Sequence, residues 1–329
     1  MKLLSIIVPL YNSEKYLPKC LDSLLNQDIP AVDYEIILVN DGSPDGSLKL
    51  AEEYASRYPN IIVLSQTNKG TSGARNTGIR HATGEYLYFV DPDDYILKNS
   101  LKEPLARMDE ESLDVLRFGY TEVDEQYQPT RSVKHPEQPD YSPEVMDGGH
   151  FMAERLGIAC YVWTFFFRTD LIKGNDIFFY EGDYFDDTPW LPRVLLKAER
   201  VDSWDVKRHF YLIRSNSLVQ SQSQKNIMRK LDGQQFMIKE LTKQKQEVTG
   251  KPAEKWYDMM IAHCVITMLS LVGSRAYDKK NQYVIFLRSN NILPITSYRM
   301  SESNRIKALL INFSPTLYCR LLHRKNPSK

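Results

Sequence analysis

The sequence predicts an α/β protein, a mostly parallel central sheet with flanking helices, followed by a helical appendage at the C-terminus. Three observations carry this. Short apolar runs alternate with helical periods through residues 3–90, the order that builds parallel sheets through crossover helices. The runs are nearly continuous, as in strands covered on both faces. The polar turns at residues 9–12, 41–43, 69–75 and 91–94 all follow strands, so one rim of the sheet collects them, and open α/β sheets bind their ligands there.

Residues 3–8 are the first strand, closed by Pro9, with Tyr11, Asn12 and Ser13 as a polar loop. Ser13 is positioned to cap a helix over residues 14–26. Leu17, Leu21, Leu24 and Leu25 form its buried stripe, and Pro18 is tolerated only near its first turn. Residues 35–39 are the second strand and 40–47 the turn after it; a helix then runs to about residue 58, and residues 61–64 are the third strand. Residues 68–78 read as a glycine-rich approach to a helix ending near His81. Residues 87–90 are the fourth strand, with Asp91, Asp93 and Asp94 at its end and Pro92 stiffening the turn.

Beyond this, residues 100–108 predict a helix and 113–120 a strand at the sheet edge. Residues 121–143 form a polar, proline-containing excursion, and 148–156 a helix. The run YVWTFFFR, residues 161–168, predicts an aromatic strand, with a helix starting at Thr169. A helix over 188–198 holds Pro189 in its first turn and Pro192 as a kink, and 209–214 is a last edge strand. After Ser223 the pattern turns helical: residues 225–247, 252–272, 276–287 and 304–312, the last capped by Ser303. The expected division is therefore a catalytic α/β domain over 1–223 and a helical region over 224–329.

Length and composition agree with one large core or two modest ones: 329 residues, 42% hydrophobic, 26% charged and a net charge of 0. The neutrality is uneven. Residues 299–329 carry seven Lys/Arg against one acid, Glu302, so a basic tail follows a mildly acidic body. Cys20, Cys160, Cys264 and Cys319 are scattered, and the six histidines form no HxxH or HExxH pattern, which argues against zinc. The N-terminal apolar run is short and lacks a cleavage signature, so it reads as a strand, not a signal peptide. Residues 259–272, interrupted by His263, are too short to span a bilayer. The expected setting is the cytoplasm. The only basic cluster is the tail, without a nucleic-acid module, which argues against a nucleic-acid partner.

Asp91 and Asp93, two apart, converge on an oxygen-lined site suited to Mg²⁺ or Mn²⁺ with a diphosphate, or else make a solvent-facing turn. Asp41 either accepts from a nucleobase imide or ribose hydroxyls, or forms an Asx-type turn capping the next helix. Lys69 and Arg75 lie at a glycine-rich helix start, a cradle for diphosphate, but the spacing is neither GxxxxGK[ST] nor GxGxxG. Asn76 serves equally to hold the loop together. Asp186 and Asp187, opening a helix whose N-terminus favours negative charge, are candidates for a general base or a capping pair. His209 and Arg214 approach the phosphates from the last strand, though His209 reads more naturally as a packed histidine.

These segments resemble a known family. SIIVPLYNSEKYLPKCLDSLLNQ, VNDGSPDGS, NKGTSGARNTGIRHATGEYLYFVDPDD and YFDDTPWLPRVLLKAERV are similar to the inverting family 2 glycosyltransferases of GT-A fold, of the bacterial capsule and surface-polysaccharide type. The resemblance covers residues 3–220 and weakens over 123–147. It implies that Pro9, Tyr11 and Asp41 hold the uridine of a UDP-sugar and that Lys69 and Arg75 shape its pocket. It further implies that Asp91 lies by ribose and metal, that Asp93 ligates Mn²⁺ or Mg²⁺, and that Asp187 is the catalytic base. Asp186 stands where the family more often has Glu. The QxxRW motif of processive members is absent, which implies single-sugar addition to a glycan or polyprenyl-diphosphate-linked acceptor. The basic and apolar residues of the tail suit peripheral contact with the inner face of the plasma membrane, or ordinary packing. Two other readings compete: a sugar-phosphate nucleotidyltransferase, although Pro9-Leu10-Tyr11-Asn12 replaces its glycine-rich signature, and a non-catalytic nucleotide-sugar-binding subunit.

Overall fold

The apolar runs become strands β1 (Lys2–Leu10), β2 (Tyr34–Asn40), β3 (Ile61–Ser65) and β4 (Gly84–Phe89). Helices α1 (Leu17–Leu25), α2 (Ser47–Arg57) and α3 (Gly70–His81) connect them. Next along the chain come β5 (Tyr95–Ile96), α4 (Lys102–Glu110), β6 (Val115–Val123), α5 (Gly148–Glu154), β7 (Phe165–Arg168), α6 (Thr169–Lys173), α7 (Asp187–Leu195) and β8 (Val201–Leu212). This computed structural model describes residues 2–130, 143–182, 187–214 and 223–325. Asp186 and most of the excursion at 121–143 lie outside the described residues.

Among the described residues the sheet has eight strands in the order β3-β2-β1-β4-β7-β6-β8-β5. β1 pairs in parallel with β2 and β4, β2 with β3, and β6 with β8; β7 is antiparallel to β4 and β6, and β5 to β8. Leu4, Ile6, Val8 and Leu10 of β1 join Leu17, Leu21 and Leu24 of α1 and Ala51 and Tyr54 of α2 in one core. On the opposite face Ile7 meets α3, where a Cβ on Gly78 would fall 2.4 Å from Ile7 Cγ2. Gly78 is there because the helix backbone lies on the sheet. β1 is flanked by β2 and β4, so the direction of sheet growth reverses beside it and leaves a crevice at the carboxyl ends of β1 and β4.

Several elements depart from the sequence expectation. α1 begins at Leu17, because the Ser13 carbonyl accepts from the amides of Tyr16 and Leu17 while the Ser13 hydroxyl donates to Tyr11 O; Pro18 thus falls in the first turn. The glycine-rich stretch is not an approach to α3 but most of α3 itself. β6 is interior, not an edge strand, because β8 is twice as long as the apolar run that announced it and covers β6. The polar residues that hid β8 are partnered: Asp202 with Arg107, and Arg208 with Glu103. Residues Val162–Thr164 form a short 3₁₀ turn, and only Phe165–Arg168 is strand.

The chain divides into two compact units, Met1–Phe151 with Cys160–Ser215, and Met152–Ala159 with Asn216–Lys329. The second is helical: α8 (Gln224–Gln246), α9 (Glu254–Arg275), α10 (Lys280–Ser289), α11 (Glu302–Phe313) and α12 (Pro315–Lys325). α9 is 22 residues long and apolar enough by length and composition to cross a membrane, which corrects the shorter segment read from sequence. It buries Trp256, Met260, Val265, Leu269 and Val272 and is the core helix of its unit. α12 was not anticipated. α11 is capped by Ser301, whose hydroxyl accepts from Asn304 N, and not by Ser303.

Candidate active site

The crevice at the ends of β1 and β4 is lined by the turns the sequence singled out. β4 delivers its acidic loop over a tight turn, with Asp94 N donating to Asp91 O at 3.0 Å. Across the crevice Asp187 opens α7. Arg75, on α3 and 3% exposed, joins the two: Nη2 lies 3.0 Å from Asp91 Oδ1 and Nη1 2.5 Å from Asp187 Oδ1. Its guanidinium also lies 5.5 Å from the centre of the Phe179 ring. Asp187 is placed from a third direction by Val162 N, 3.5 Å from Oδ2. Three segments far apart in sequence therefore converge on one charged cluster.

Asn76, one residue after Arg75, holds the chain at Phe179. Asn76 Nδ2 donates to Phe179 O, and Asn76 Oδ1 accepts from Phe179 N at 2.8 Å. Phe179 stacks on Trp190 at 4.2 Å, and Trp190 Nε1 donates to Ile177 O. Asn76 is thus a loop holder, one of the two roles its position allowed.

Adjacent carboxylates of the acidic loop, both buried, have different partners. Asp94 is 1% exposed and accepts from Leu212 N at 2.9 Å and from His209 Nε2 at 2.9 Å. Burial pushes His209 down to about 3, so the imidazole is neutral. It takes the Tyr88 hydroxyl at Nδ1, 2.8 Å away, and gives Nε2–H to Asp94. His209 is wholly buried and therefore a packing residue, not a phosphate contact. This network ties β4, the acidic loop and β8 together.

Asp93, by contrast, faces Arg214, whose Nη2 lies 2.5 Å from Oδ2. Burial and then the charge of Asp94 push Asp93 up to about 7, against the pull of Arg214 and with Asp91 adding to the rise. Among the described residues no three His, Cys, Asp or Glu side chains form a ready-made metal cage. Divalent ions that work on diphosphates need fewer protein ligands, taking one or two carboxylates and completing the shell with phosphate oxygens and water. Asp91 and Asp93 supply that number of carboxylates, each ion-paired here with an arginine, Arg75 and Arg214, whose place a divalent ion would take or share.

At the other end of the rim Asp41, 2% exposed, accepts from Gln66 Nε2 at 2.7 Å and from the amides of Lys69 and Gly70 at 2.8 Å. It caps α3 from outside the helix, and of the roughly four acceptor positions of a carboxylate these three bonds leave one. Gly70 adopts φ 79°, the left-handed region, which turns the chain into α3. Pro9 is buried in β1. Its missing N–H lies on the side of β4, beyond Ile7 and Phe89, the last pair of that ladder. Tyr11, 53% exposed, and Lys69 stand open on the rim.

Sequence reasoning missed an aromatic ladder beside Asp187. Trp163 stacks with Tyr161 at 5.0 Å, with Tyr211 at 5.2 Å and with His209 at 4.6 Å. The signal was the aromatic density of YVWTFFFR, which was assigned wholly to a strand.

An open α/β sheet with an acidic loop at its switch point, and a separate carboxylate across the crevice, defines a nucleotide-dependent transferase fold of the GT-A class. The family model for glycosyl transferase family 2 matches residues 5–184, and the chain belongs to that family. It is 36% identical over 227 residues to the uncharacterized glycosyltransferase EpsJ of Bacillus subtilis, covering 66% of this chain and 63% of EpsJ. It is 35% identical over 209 residues to the poly(ribitol-phosphate) beta-N-acetylglucosaminyltransferase TarS of Staphylococcus aureus, covering 63% of this chain and 35% of TarS. The crystal structure of S. aureus TarS 1–349 in complex with UDP-GlcNAc superposes with a TM-score of 0.72 at 24% identity, over 99% of this chain and 92% of that one; at that identity the match speaks for the fold. The chain thus spans less than two thirds of EpsJ and about a third of full-length TarS.

Proposed function

We propose that the chain transfers a single sugar from a nucleotide sugar, a UDP-sugar, to a hydroxyl of a glycan or polyprenyl-diphosphate-linked acceptor in surface-polysaccharide synthesis, with inversion at the anomeric carbon. The observation that carries the reading is Arg75, which holds Asp91 and Asp187 on opposite sides of one crevice. In this reading Asp187 takes the proton of the attacking hydroxyl. Asp41, Pro9 and Tyr11 hold the base and ribose, Lys69 and Arg214 attract the diphosphate, and Arg75 shapes the pocket by holding Asp91 and Asp187. Asp93, with Asp91, would hold Mn²⁺ or Mg²⁺, which when bound offsets the negative charge of the departing nucleotide. TarS, solved with UDP-GlcNAc, supports a UDP-sugar as the first donor to try.

The division of labour between residues 1–223 and 224–329 is part of the proposal. α11 presents Ile306, Leu309 and Phe313, which are 54%, 68% and 82% exposed, beside the exposed Arg305. An apolar stripe with basic neighbours suits an anionic leaflet and supports peripheral attachment to the inner face of the plasma membrane. The test is a screen of UDP-, GDP- and dTDP-sugars with Mn²⁺ or Mg²⁺ and lipid-linked acceptors, reading nucleotide release and product mass. Release of a nucleoside diphosphate with a glycosylated product is the expected result. Pyrophosphate release from a nucleoside triphosphate would point instead to a nucleotidyltransferase.

A further inference from the structure

Tyr161 has a character the donor site does not use. Its ring lies parallel to Trp163 within 4° at 5.0 Å, and Trp163 lies parallel to Tyr211 within 5° at 5.2 Å. Tyr120 meets both Tyr161 and Trp163 edge-on, at 6.0 Å and 4.9 Å. Trp163 is 4% exposed, whereas Tyr161 keeps 36% of its surface in solvent. The result is a rigid, flat aromatic surface whose orientation is set from behind and from one edge. Its position is fixed by the next residue, since Val162 N approaches Asp187 Oδ2.

From this geometry we propose that Tyr161 is the stacking platform for the acceptor, and that the acceptor unit it takes is an uncharged pyranose ring. The inference rests on the glycosyltransferase reading and deepens it. A pyranose presents a face of C–H groups to an aromatic ring and hydroxyls at its rim, so a ring seated on Tyr161 brings a hydroxyl toward the neighbouring Asp187. The charge pattern selects against a phosphate. Asp187 lies beside the platform, its Oδ2 3.5 Å from Val162 N, and burial first, then Glu122, Cys160 and Asp187, push the Tyr161 phenol up, so the surroundings of the platform are anionic. Arg75 is engaged between Asp187 and Asp91. A polyol-phosphate repeat, of the kind named for TarS, would set its phosphodiester against those carboxylates.

The experiment compares the intact protein with Tyr161→Ala and Tyr161→Phe. The acceptor probes are methyl glycopyranosides and, as the charged acyclic control, ribitol 5-phosphate. Saturation-transfer NMR reads acceptor binding, UDP release reads turnover, and calorimetry with UDP reads donor affinity. Tyr161→Ala is expected to raise the acceptor KM by about 3- to 10-fold, the range of a single aromatic contact, with the UDP Kd retained. Tyr161→Phe, which keeps the flat face, is expected to restore the acceptor KM. An unchanged acceptor KM in Tyr161→Ala, a raised UDP Kd, or a preference of the intact protein for ribitol 5-phosphate each overturns the platform while leaving the transferase reading intact. Absence of UDP binding and of sugar transfer by the intact protein overturns both. Near-ultraviolet circular dichroism of the variants separates loss of the platform from loss of the fold.

Discussion

The two units treat polarity in opposite ways. In the α/β unit charged and titratable side chains are buried: Asp41, Arg75, Asp94 and His209 are each 3% exposed or less. In the helical unit the buried polar side chains among the described residues are the uncharged Asn226, Gln234 and Gln244, while Ile306, Leu309 and Phe313 face outward. Burying charge costs stability unless partners compensate it, and leaving large apolar groups in water forgoes the stabilisation that burial gives. In the function proposed above, each unit departs from the simple rule where it would meet something else, a small polar ligand in one case and a lipid surface in the other. Substitutions in the first unit should therefore change turnover or folding strongly, and those on the surface of the second should change association while leaving folding alone.

The largest effect is expected at Asp187. If it is the base, Asp187→Asn keeps shape and helix position but cannot accept the proton. Turnover should fall by about 10²- to 10⁴-fold with the UDP Kd changed little. Steady-state nucleotide release and calorimetry check this, and a variant with near-normal turnover would remove Asp187 from the mechanism.

Next comes the buried network. His209→Ala removes a wholly buried ring and leaves Tyr88 and Asp94 without their partner. A loss of about 2–4 kcal/mol is expected, read as a lower urea midpoint of the α/β unit. Loosening of β8, which leads to Arg214 and its contact with Asp93, should weaken UDP binding as well. An unfolding midpoint equal to that of the parent would mean the network is incidental.

The contrasting test in the helical unit is Leu309→Ser with Phe313→Ser. Both side chains are mostly exposed, so the unfolding midpoint should stay within experimental error. Partition onto vesicles containing anionic phospholipid should fall by at least about 10-fold, given roughly 1.5–3 kcal/mol for each large apolar side chain transferred. Equal partition of parent and variant would assign the stripe to something other than lipid.

What the sequence made legible follows the same physical divide. The first four strands and the turns after them were readable because each signal is local: a continuous apolar run, then Asp, Gly or Pro. Arg75 and Asp91 were placed on one rim for that reason, and Asp187 was singled out as an acid at a helix start; that Arg75 ion-pairs with both was not legible, because it depends on α7 reaching that rim across more than 90 residues of chain. β8 was cut short because Asp202, Lys207 and Arg208 interrupt its pattern, and the partners that make Asp202 and Arg208 tolerable, Arg107 and Glu103, lie about a hundred residues away. The aromatic ladder escaped notice because Tyr211 reaches Trp163 only once β8 and the turn before β7 are in place.

The smallest expected effect tests a local signal that misled. Both Ser301 and Ser303 precede the apolar period of α11, and either hydroxyl has the chemistry of a helix cap. The structure gives the role to Ser301, whose extended backbone (φ −59°, ψ 155°) presents its hydroxyl to the amide of Asn304, while Ser303 lies within the first turn of the helix. At 3.4 Å the bond is long, so Ser301→Ala should cost about 0.5–1 kcal/mol, the lower end of the range for caps. Ser303→Ala should cost nothing or stabilise slightly, because Ala is the better residue inside a helix. Thermal unfolding of the two variants reads the difference directly. A larger loss at Ser303 would move the start of α11 by two residues, which is more than half a helical turn, and would rotate the stripe of Ile306, Leu309 and Phe313 relative to the capped end. The smallest measurement therefore bears on how the outward apolar face of the helical unit is set.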